Sequence, residues 1–221
     1  MIFALRQPAV FLGLLLGFVV GMIALSAFLR LLERNTRHPA PVWNHQSWLD
    51  PYGAVAALLA GVGWGPRREL RRGFGRSQHR QLLLVALLSC AVPAVLGAIG
   101  LAIYAGLVGH GVLPLTGSYS VLHGFQPFAT TFAEKVAVGF GIENLGVAIL
   151  SLVPIPPLPT GVWAWTVFPK TPGPRQLAYR LLDEHWGIAA LLLLFLIPVG
   201  GDGPALLVLV TSISDQILNL F

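Results

Sequence analysis

The sequence predicts an all-α membrane protein, a bundle of about four to six transmembrane helices in one integral domain, residues 1–221. Composition is the first observation: 55% of the residues are hydrophobic and 10% are charged, whereas a soluble domain carries about 25% charged residues. The second observation is a series of long apolar runs. The third is a proline-rich stretch, Ser151–Trp163, that interrupts one of those runs.

Five apolar stretches are candidates for membrane-spanning helices, which need about 20 apolar residues. We expect the spans at 9–32, 81–109, 132–153, 187–199 and 205–221. The first is longer than the apolar core of a signal peptide, so a retained helix is predicted there. The last two are short and are predicted to form a helical hairpin around Gly200–Pro204. The stretch 54–64 is too short to cross and is predicted to be a re-entrant segment.

The basic residues indicate an orientation. Twelve of the fourteen lysines and arginines lie in three loops, 30–37, 66–80 and 170–180, and the positive-inside rule places all three loops on the cytoplasmic side. Basic clusters beside a membrane attract anionic lipid, and this contact is predicted for Arg67, Arg68, Arg71, Arg72 and Arg76. No nucleic-acid partner is expected, because the linker 66–80 is too short to build a folded basic face.

The proline-rich stretch contains Pro154, Pro156, Pro157 and Pro159. A proline has no N–H and disfavours helical geometry in the preceding residue, so the apolar helix before it cannot continue. Irregular backbone at membrane depth is tolerated where it is buried in protein or lines a cavity. The stretch therefore indicates either a functional site or a simple helix end at the membrane surface.

Two motifs resemble those of site-2 protease-type intramembrane zinc metalloproteases, in the compact bacterial branch without an appended domain. The run WNHQSWLDPYG, at the start of Trp43–Gly65, is similar to the family's LNPxxHLDPIG. The run SLVPIPPLPTG is similar to the family's NLLPIPPLDGG. The helix around Cys90 and the C-terminal apolar pair agree less specifically. The resemblance covers nearly the whole chain and implies a site-2 protease-like core with a Pro-broken helix, in a bacterial cytoplasmic membrane.

The chain departs from the family at the catalytic positions. In the family, an HExxH helix supplies two histidine ligands and a glutamate base, and the aspartate of LDG supplies the third ligand. Counting back from the LNPxxHLDPIG-like stretch by the family spacing places HExxH on Val19, Val20 and Ile23, and the aspartate falls on Pro159. None of these side chains can ligate zinc. The resemblance therefore implies a degenerate, catalytically inactive member, with no metal or cofactor.

The predicted function is that of a non-catalytic accessory or scaffold subunit in a membrane protein complex, which binds a partner's transmembrane segment. The partner would lie in the inherited groove, whose candidate residues are Glu143, Asn144, Ser151, Pro154, Pro156 and Pro157. Two alternatives stay open. One is an intramembrane metalloprotease with a displaced metal site. The other is a haem- or pigment-binding membrane subunit, with a lone histidine as ligand: His110, His123 or His185.

Other polar residues have structural as well as functional interpretations. His38, His45 and Asp50 form a conceivable substitute metal site, but their spacing matches no common ligand motif. Asp50 followed by Pro51 is typical of a helix N-terminus. Glu143, a carboxylate in an apolar helix, is either part of a helix–helix hydrogen bond or a polar spot in the groove. Small residues permit close helix contacts, which are predicted at Gly97, Gly100, Gly139, Gly141 and Gly146.

Overall fold

A computed structural model describes residues 1–34, 49–65, 76–109, 117–124, 129–167, 171–182, 184, 186–198 and 203–218. These residues form a short 3-10 helix, Ile2–Arg6, and the helices α1 (Pro8–Arg34), α2 (Pro51–Ala60), α3 (Arg76–Val108), α4 (Ser118–Leu122), α5 (Phe132–Leu150), α6 (Pro159–Val167), α7 (Pro172–Leu182), α8 (Trp186–Leu196) and α9 (Ala205–Leu218). In this part of the chain there is no β-strand, and an isolated bridge pairs Pro198 with Pro204. The predicted all-α architecture is confirmed for these ranges.

Helix α5 is the centre of the bundle, with α1 and α3 packed against it. All ten residues of α5 from Gly141 to Leu150 are buried. Within the described residues, Pro8–Leu31 of α1 and Arg80–Val108 of α3 are long and apolar enough to cross a membrane. Helix α5 carries three charged residues and is shielded by its neighbours instead. The predicted number of four to six spans stays a prediction.

The proline stretch ends α5 and permits a new helix. Helix α5 ends at Leu150 rather than at residue 153 as predicted, because Pro154 has no N–H to donate to the Leu150 carbonyl. The N–H of Val153 bonds to that carbonyl instead, at 3.1 Å, which tightens the last turn. Helix α6 then begins at Pro159, in a first-turn position that suits proline. Neither α6 nor α7 is among the elements predicted from the sequence.

Glycines let the three central helices approach closely. A Cβ added to Gly139 of α5 would lie 2.8 Å from the carbonyl oxygen of Val10 in α1, and one added to Gly13 would collide with the backbone of Val136. On the other side of α5, a Cβ at Gly100 of α3 would lie 2.9 Å from the backbone of Gly141. The close contacts predicted for the glycines of α3 and α5 are confirmed, and Gly13, Gly17 and Gly21 extend them to α1.

The predicted re-entrant segment forms a closed unit. Asp50 caps α2 by accepting a hydrogen bond from the Tyr52 N–H at 2.9 Å, as predicted from the Asp-Pro pair. The same carboxylate accepts a hydrogen bond from Trp64 Nε1 at 3.1 Å. Gly61 ends the helix with φ of 91°, a conformation that favours glycine. The hydrogen bond from the Trp64 indole therefore connects the end of this segment to its beginning at Asp50.

The C-terminal helices form the predicted hairpin. The bridge between Pro198 and Pro204 is antiparallel, and the N–H of Ala205 donates to the Ile197 carbonyl at 2.9 Å. Helix α9 packs on α5 and α4, and Asp215 accepts a hydrogen bond from the Ser118 N–H at 2.7 Å. The hairpin is thus attached to the central bundle through α9.

Candidate functional site

A small cavity of about 20 Å³ lies where α1, α3, α5 and α6 meet beside the proline stretch. Its volume suits about one water molecule. The lining residues that the structure describes are mostly apolar: Leu25, Leu29, Trp64, Gly65, Val85, Ser89, Val147, Ser151, Pro157 and Pro159. The proline stretch therefore borders an internal cavity, which is the setting in which irregular backbone is tolerated at membrane depth.

Side-chain hydrogen bonds to backbone carbonyls hold the chain in place around the proline break. Ser151 Oγ donates to the Val147 carbonyl at 2.8 Å, and Thr160 Oγ1 donates to the Ser151 carbonyl at 2.6 Å. Trp165 Nε1 donates to the Pro154 carbonyl at 3.0 Å. The bonds from Thr160 and Trp165 run from α6 back to Ser151 and Pro154, so they hold the break in a defined shape.

The α1 residues at the cavity differ from those expected from the sequence. Leu25 and Leu29, an i, i+4 pair on one face of α1, line the cavity together with Pro159. Val19, Val20 and Ile23 are not among the lining residues, and the side chains of Val20 and Ile23 are 39% and 46% exposed on the outer surface. The predicted positions of HExxH assume no insertion or deletion relative to the family in residues 35–48, which lie outside the described part of the chain.

The donor set at this cavity does not fit a zinc ion. Structural and catalytic zinc sites use cysteine, histidine, aspartate or glutamate side chains, and none of the lining residues is of these types. No group of three or more such residues comes together anywhere in the described ranges. The side chains of Leu25, Leu29 and Pro159 present only hydrocarbon to this cavity.

Glu143 and Asn144 lie deeper in the bundle than the cavity. The Asn144 amide donates to the Gly17 carbonyl of α1 at 3.1 Å and to the Phe140 carbonyl at 3.0 Å. Glu143 is fully buried, and neither of its carboxylate oxygens has a hydrogen-bond partner among the described residues. Its neighbourhood includes the α-amino group of Met1, which donates to two carbonyls of α2. Burial lowers the pKa of that amino group to about 6, and the charge of Glu143 opposes the shift.

The structure therefore does not bring the predicted groove residues together at one place. Ser151 and Pro157 line the cavity, as does Pro159. Glu143 and Asn144 face the contact with α1 instead, Pro154 is exposed, and Pro156 packs against Gly187 at the start of α8. The cavity residues missed by the sequence reasoning include Leu25, Leu29 and Ser89. Leucines at i, i+4 spacing and single serines are common in apolar helices, so nothing in the sequence distinguishes these three residues.

Of the histidines predicted as candidate ligands, the structure describes His123. His123 contacts Tyr119, with ring centroids 4.2 Å apart, and its Nδ1 lies 2.8 Å from the Tyr119 carbonyl. These contacts suit a histidine that stabilises the turn after α4. His38, His45, His110 and His185 lie outside the described residues, as do Arg67, Arg68, Arg71 and Arg72.

The neighbouring residues Glu143 and Asn144 should respond oppositely to substitution. We expect Asn144→Ala to lower the free energy of unfolding by about 1 kcal/mol, because it removes an interhelical hydrogen bond to α1. We expect Glu143→Met to raise it by about 1–3 kcal/mol, since it removes a buried carboxylate that lacks hydrogen bonds. Unfolding of the purified variants in mixed detergent micelles measures both. A loss in Glu143→Met as large as that in Asn144→Ala would show that the carboxylate is held by a stabilising partner.

Comparison with known proteins yields one informative similarity. The chain is 24% identical over 173 residues to the Bacillus subtilis (strain 168) protein named "Putative zinc metalloprotease YwhC". The aligned region covers 78% of this chain and 71% of that relative. No family model matches the chain, and no solved structure matches it. The similarity supports the suggested relation to a zinc metalloprotease family, and it extends over most of both proteins.

Proposed function

We propose that this protein is a non-catalytic membrane protein on a site-2 protease-like scaffold, acting as an accessory subunit that holds a partner's transmembrane segment. The observation that carries the proposal is the chemistry of the cavity beside the proline break. There, an i, i+4 pair on α1 faces the first residue of α6, in the arrangement that the resemblance implies for HExxH and LDG. The three side chains are Leu25, Leu29 and Pro159, and none has a donor atom for zinc.

The same register gives the position of the missing general base. If Leu25 and Leu29 correspond to the two histidines, Ser26 corresponds to the glutamate of HExxH. Ser26 is buried, and its hydroxyl has no hydrogen-bond partner in the described part of the chain. A serine hydroxyl is not ionised at neutral pH and cannot act as the carboxylate does in a metalloprotease. Both the metal and the base are therefore absent from the proposed family positions.

The helix ends around the cavity support the proposed membrane orientation. The lining residues come from the C-terminal part of α1, the N-terminal part of α3 and the C-terminal end of α5. These three ends therefore lie at one level, which is the level of the basic residues Arg30 and Arg80. Basic residues at this level agree with the segments 30–37, 66–80 and 170–180 on the cytoplasmic side of a bacterial membrane.

The partner would contact the outer edge of the proline stretch, because the cavity itself holds only about one water. Leu152 is 55% exposed at this edge, and Pro154 is exposed beside it. An exposed apolar edge suits the apolar side chains of a transmembrane segment. The proposed groove therefore runs along Leu152 and Pro154.

Site-specific photo-crosslinking tests this groove. A benzophenone amino acid at Leu152 is expected to crosslink to one discrete membrane protein in the native membrane. The matched control is the same probe at Leu193 of α8, which is similarly exposed at 56% but lies on another element. Crosslinking to the same protein with equal yield from both positions, or no crosslinking from either, would contradict a partner held at the proline stretch.

One alternative is a metalloprotease whose metal site is formed elsewhere in the chain, and the name of the relative YwhC is compatible with it. That alternative requires about one tightly bound zinc per chain and loss of the metal on substitution of His38 or His45. The haem- or pigment-binding alternative requires a visible absorption band in the purified protein. The non-catalytic proposal requires neither.

A further inference from the structure

Helix α7, Pro172–Leu182, has the strongest separation of polar and apolar residues in the described chain. At 100° per residue, one arc of this helix is apolar and the opposite arc is polar. The apolar arc contains Pro174, Leu177, Ala178, Leu181 and Leu182, and the polar arc contains Arg175, Gln176, Tyr179 and Arg180. A helix of this kind, with low overall hydrophobicity, is typical of segments that lie in a membrane interface.

The protein covers only part of the apolar arc. Ala178 is buried against the bundle, and α7 packs on α6 and α8. Leu177 continues the same arc but is 47% exposed. Arg180 lies beside Leu177 on the helix surface and is exposed. The uncovered part of α7 thus combines an apolar side chain with a cation, the combination that suits acyl chains next to lipid phosphates.

Helix α7 lies at the basic end of the bundle. Gly187, at the start of α8, lies against the carbonyl of Pro156, and a Cβ there would be 2.9 Å from the carbonyl oxygen of Leu181. The last turn of α7 is therefore close to the proline stretch. That stretch borders the cavity at the level where α1 carries Arg30 and α3 carries Arg80. If α1 and α3 cross the bilayer, α7 is at the depth of its headgroups.

We propose that α7 lies in the plane of the membrane surface and docks on the lipid bilayer, with Leu177 among the acyl chains and Arg180 at lipid phosphates. The exposed Trp186 that follows α7 agrees with this placement, because tryptophan is enriched at membrane interfaces. Asp183 and Glu184 follow Arg180 in the sequence, so the net charge of the region is small. The apolar arc is therefore the main source of affinity for the bilayer, and Arg180 sets the depth of the helix. The inference rests on the proposed membrane insertion of α1 and α3.

Spin-label accessibility in the full-length protein tests the proposal. Single cysteines at Gln176, Leu177 and Val95 are introduced into a Cys90→Ser background, labelled, and reconstituted in phosphatidylcholine nanodiscs with or without phosphatidylglycerol. Frequent collisions of a label with oxygen indicate that it lies among the acyl chains. Frequent collisions with a water-soluble nickel chelate indicate that it lies in the aqueous phase. We expect the oxygen-to-nickel collision ratio to be several-fold higher at Leu177 than at the adjacent Gln176. With phosphatidylglycerol present, Arg180→Gln is expected to shift the Leu177 label toward water.

Each other outcome overturns a definite statement. Val95, on the exposed face of α3, is the reference for the acyl core. If its label meets oxygen but the Leu177 label meets nickel, the docking of α7 is wrong while the membrane insertion stands. If both labels meet nickel, the membrane insertion itself is wrong. Low collision rates with both reagents at Leu177 would show that a protein surface covers α7 instead of lipid.

Discussion

Replacement of Leu25 and Leu29 by histidine and of Pro159 by aspartate is expected to give the protein about one tightly bound zinc per chain. The three positions border one cavity, and the two histidines would share a face of α1 at i, i+4 spacing. Aspartate at the first position of α6 also suits the helix N-terminus. Structural sites with four protein ligands bind zinc with a free energy on the order of 10 kcal/mol, and three protein ligands plus a water hold the metal in catalytic sites. The wild-type protein is expected to bind no stoichiometric zinc.

Metal analysis after dialysis and zinc-dependent thermal stabilisation are the two measurements. The thermal measurement is needed because buried unpaired histidines destabilise the metal-free variant. Zinc should then raise the melting temperature of the variant, whereas magnesium should not. The matched control is Val19→His/Ile23→His/Pro159→Asp, which places the histidines in the register counted from the sequence. The Ile23 side chain is 46% exposed, so this control should bind zinc weakly. Equal zinc binding by both variants, or by neither, would refute the correspondence of Leu25 and Leu29 to the two histidines of HExxH.

Gly139→Ala is expected to lower the free energy of unfolding by about 1–3 kcal/mol. The new Cβ would lie 2.8 Å from the Val10 carbonyl oxygen and 3.1 Å from the Leu14 backbone nitrogen. Both are backbone atoms of α1, so relief requires the two helices to separate, and dispersion contacts along their seam would be lost. Gly139→Leu should have the same effect with greater magnitude and should prevent accumulation of folded protein.

Gly106→Ala is the matched control for that substitution. Gly106 lies in α3, and a Cβ there would meet nothing within 4 Å. Because alanine restricts the unfolded chain and favours helix, this change should raise stability by about 0.5–1 kcal/mol. Detergent-titrated unfolding of the two variants gives the comparison. Changes of the same sign at both positions would show that helix propensity, rather than the α1–α5 contact, controls stability here.

The elements that depend on local chemistry are predictable from the sequence. The cap at Asp50 follows from an acceptor side chain before a proline, and the end of α5 follows from the missing N–H of Pro154. The close contacts at Gly97, Gly100 and Gly139 follow from the small size of glycine in apolar helices. Each of these requires only the residue and its immediate neighbours.

Features that depend on distances across the bundle are not predictable in this way. The register of α1 relative to Pro159 was expected at Val19 and Ile23, whereas Leu25 and Leu29 line the cavity. An apolar helix has no hydrophilic face to mark which side turns inward, so its rotation is set by packing. Similarly, Glu143 was expected at the groove, but its helix turns it toward α1 and the centre of the bundle.

By itself, the sequence determined that this chain is helical, apolar enough for a membrane, interrupted by prolines after Ser151, and without an HExxH motif. Composition, hydrophobic run length and proline chemistry act locally, so they can be inferred from the order of residues. Only the tertiary structure decided that the break borders a cavity, that Leu25, Leu29 and Pro159 meet there, and that α7 presents Leu177 outward. Those facts come from how helices rotate and pack against one another, and in apolar helices shape rather than polarity selects the packing.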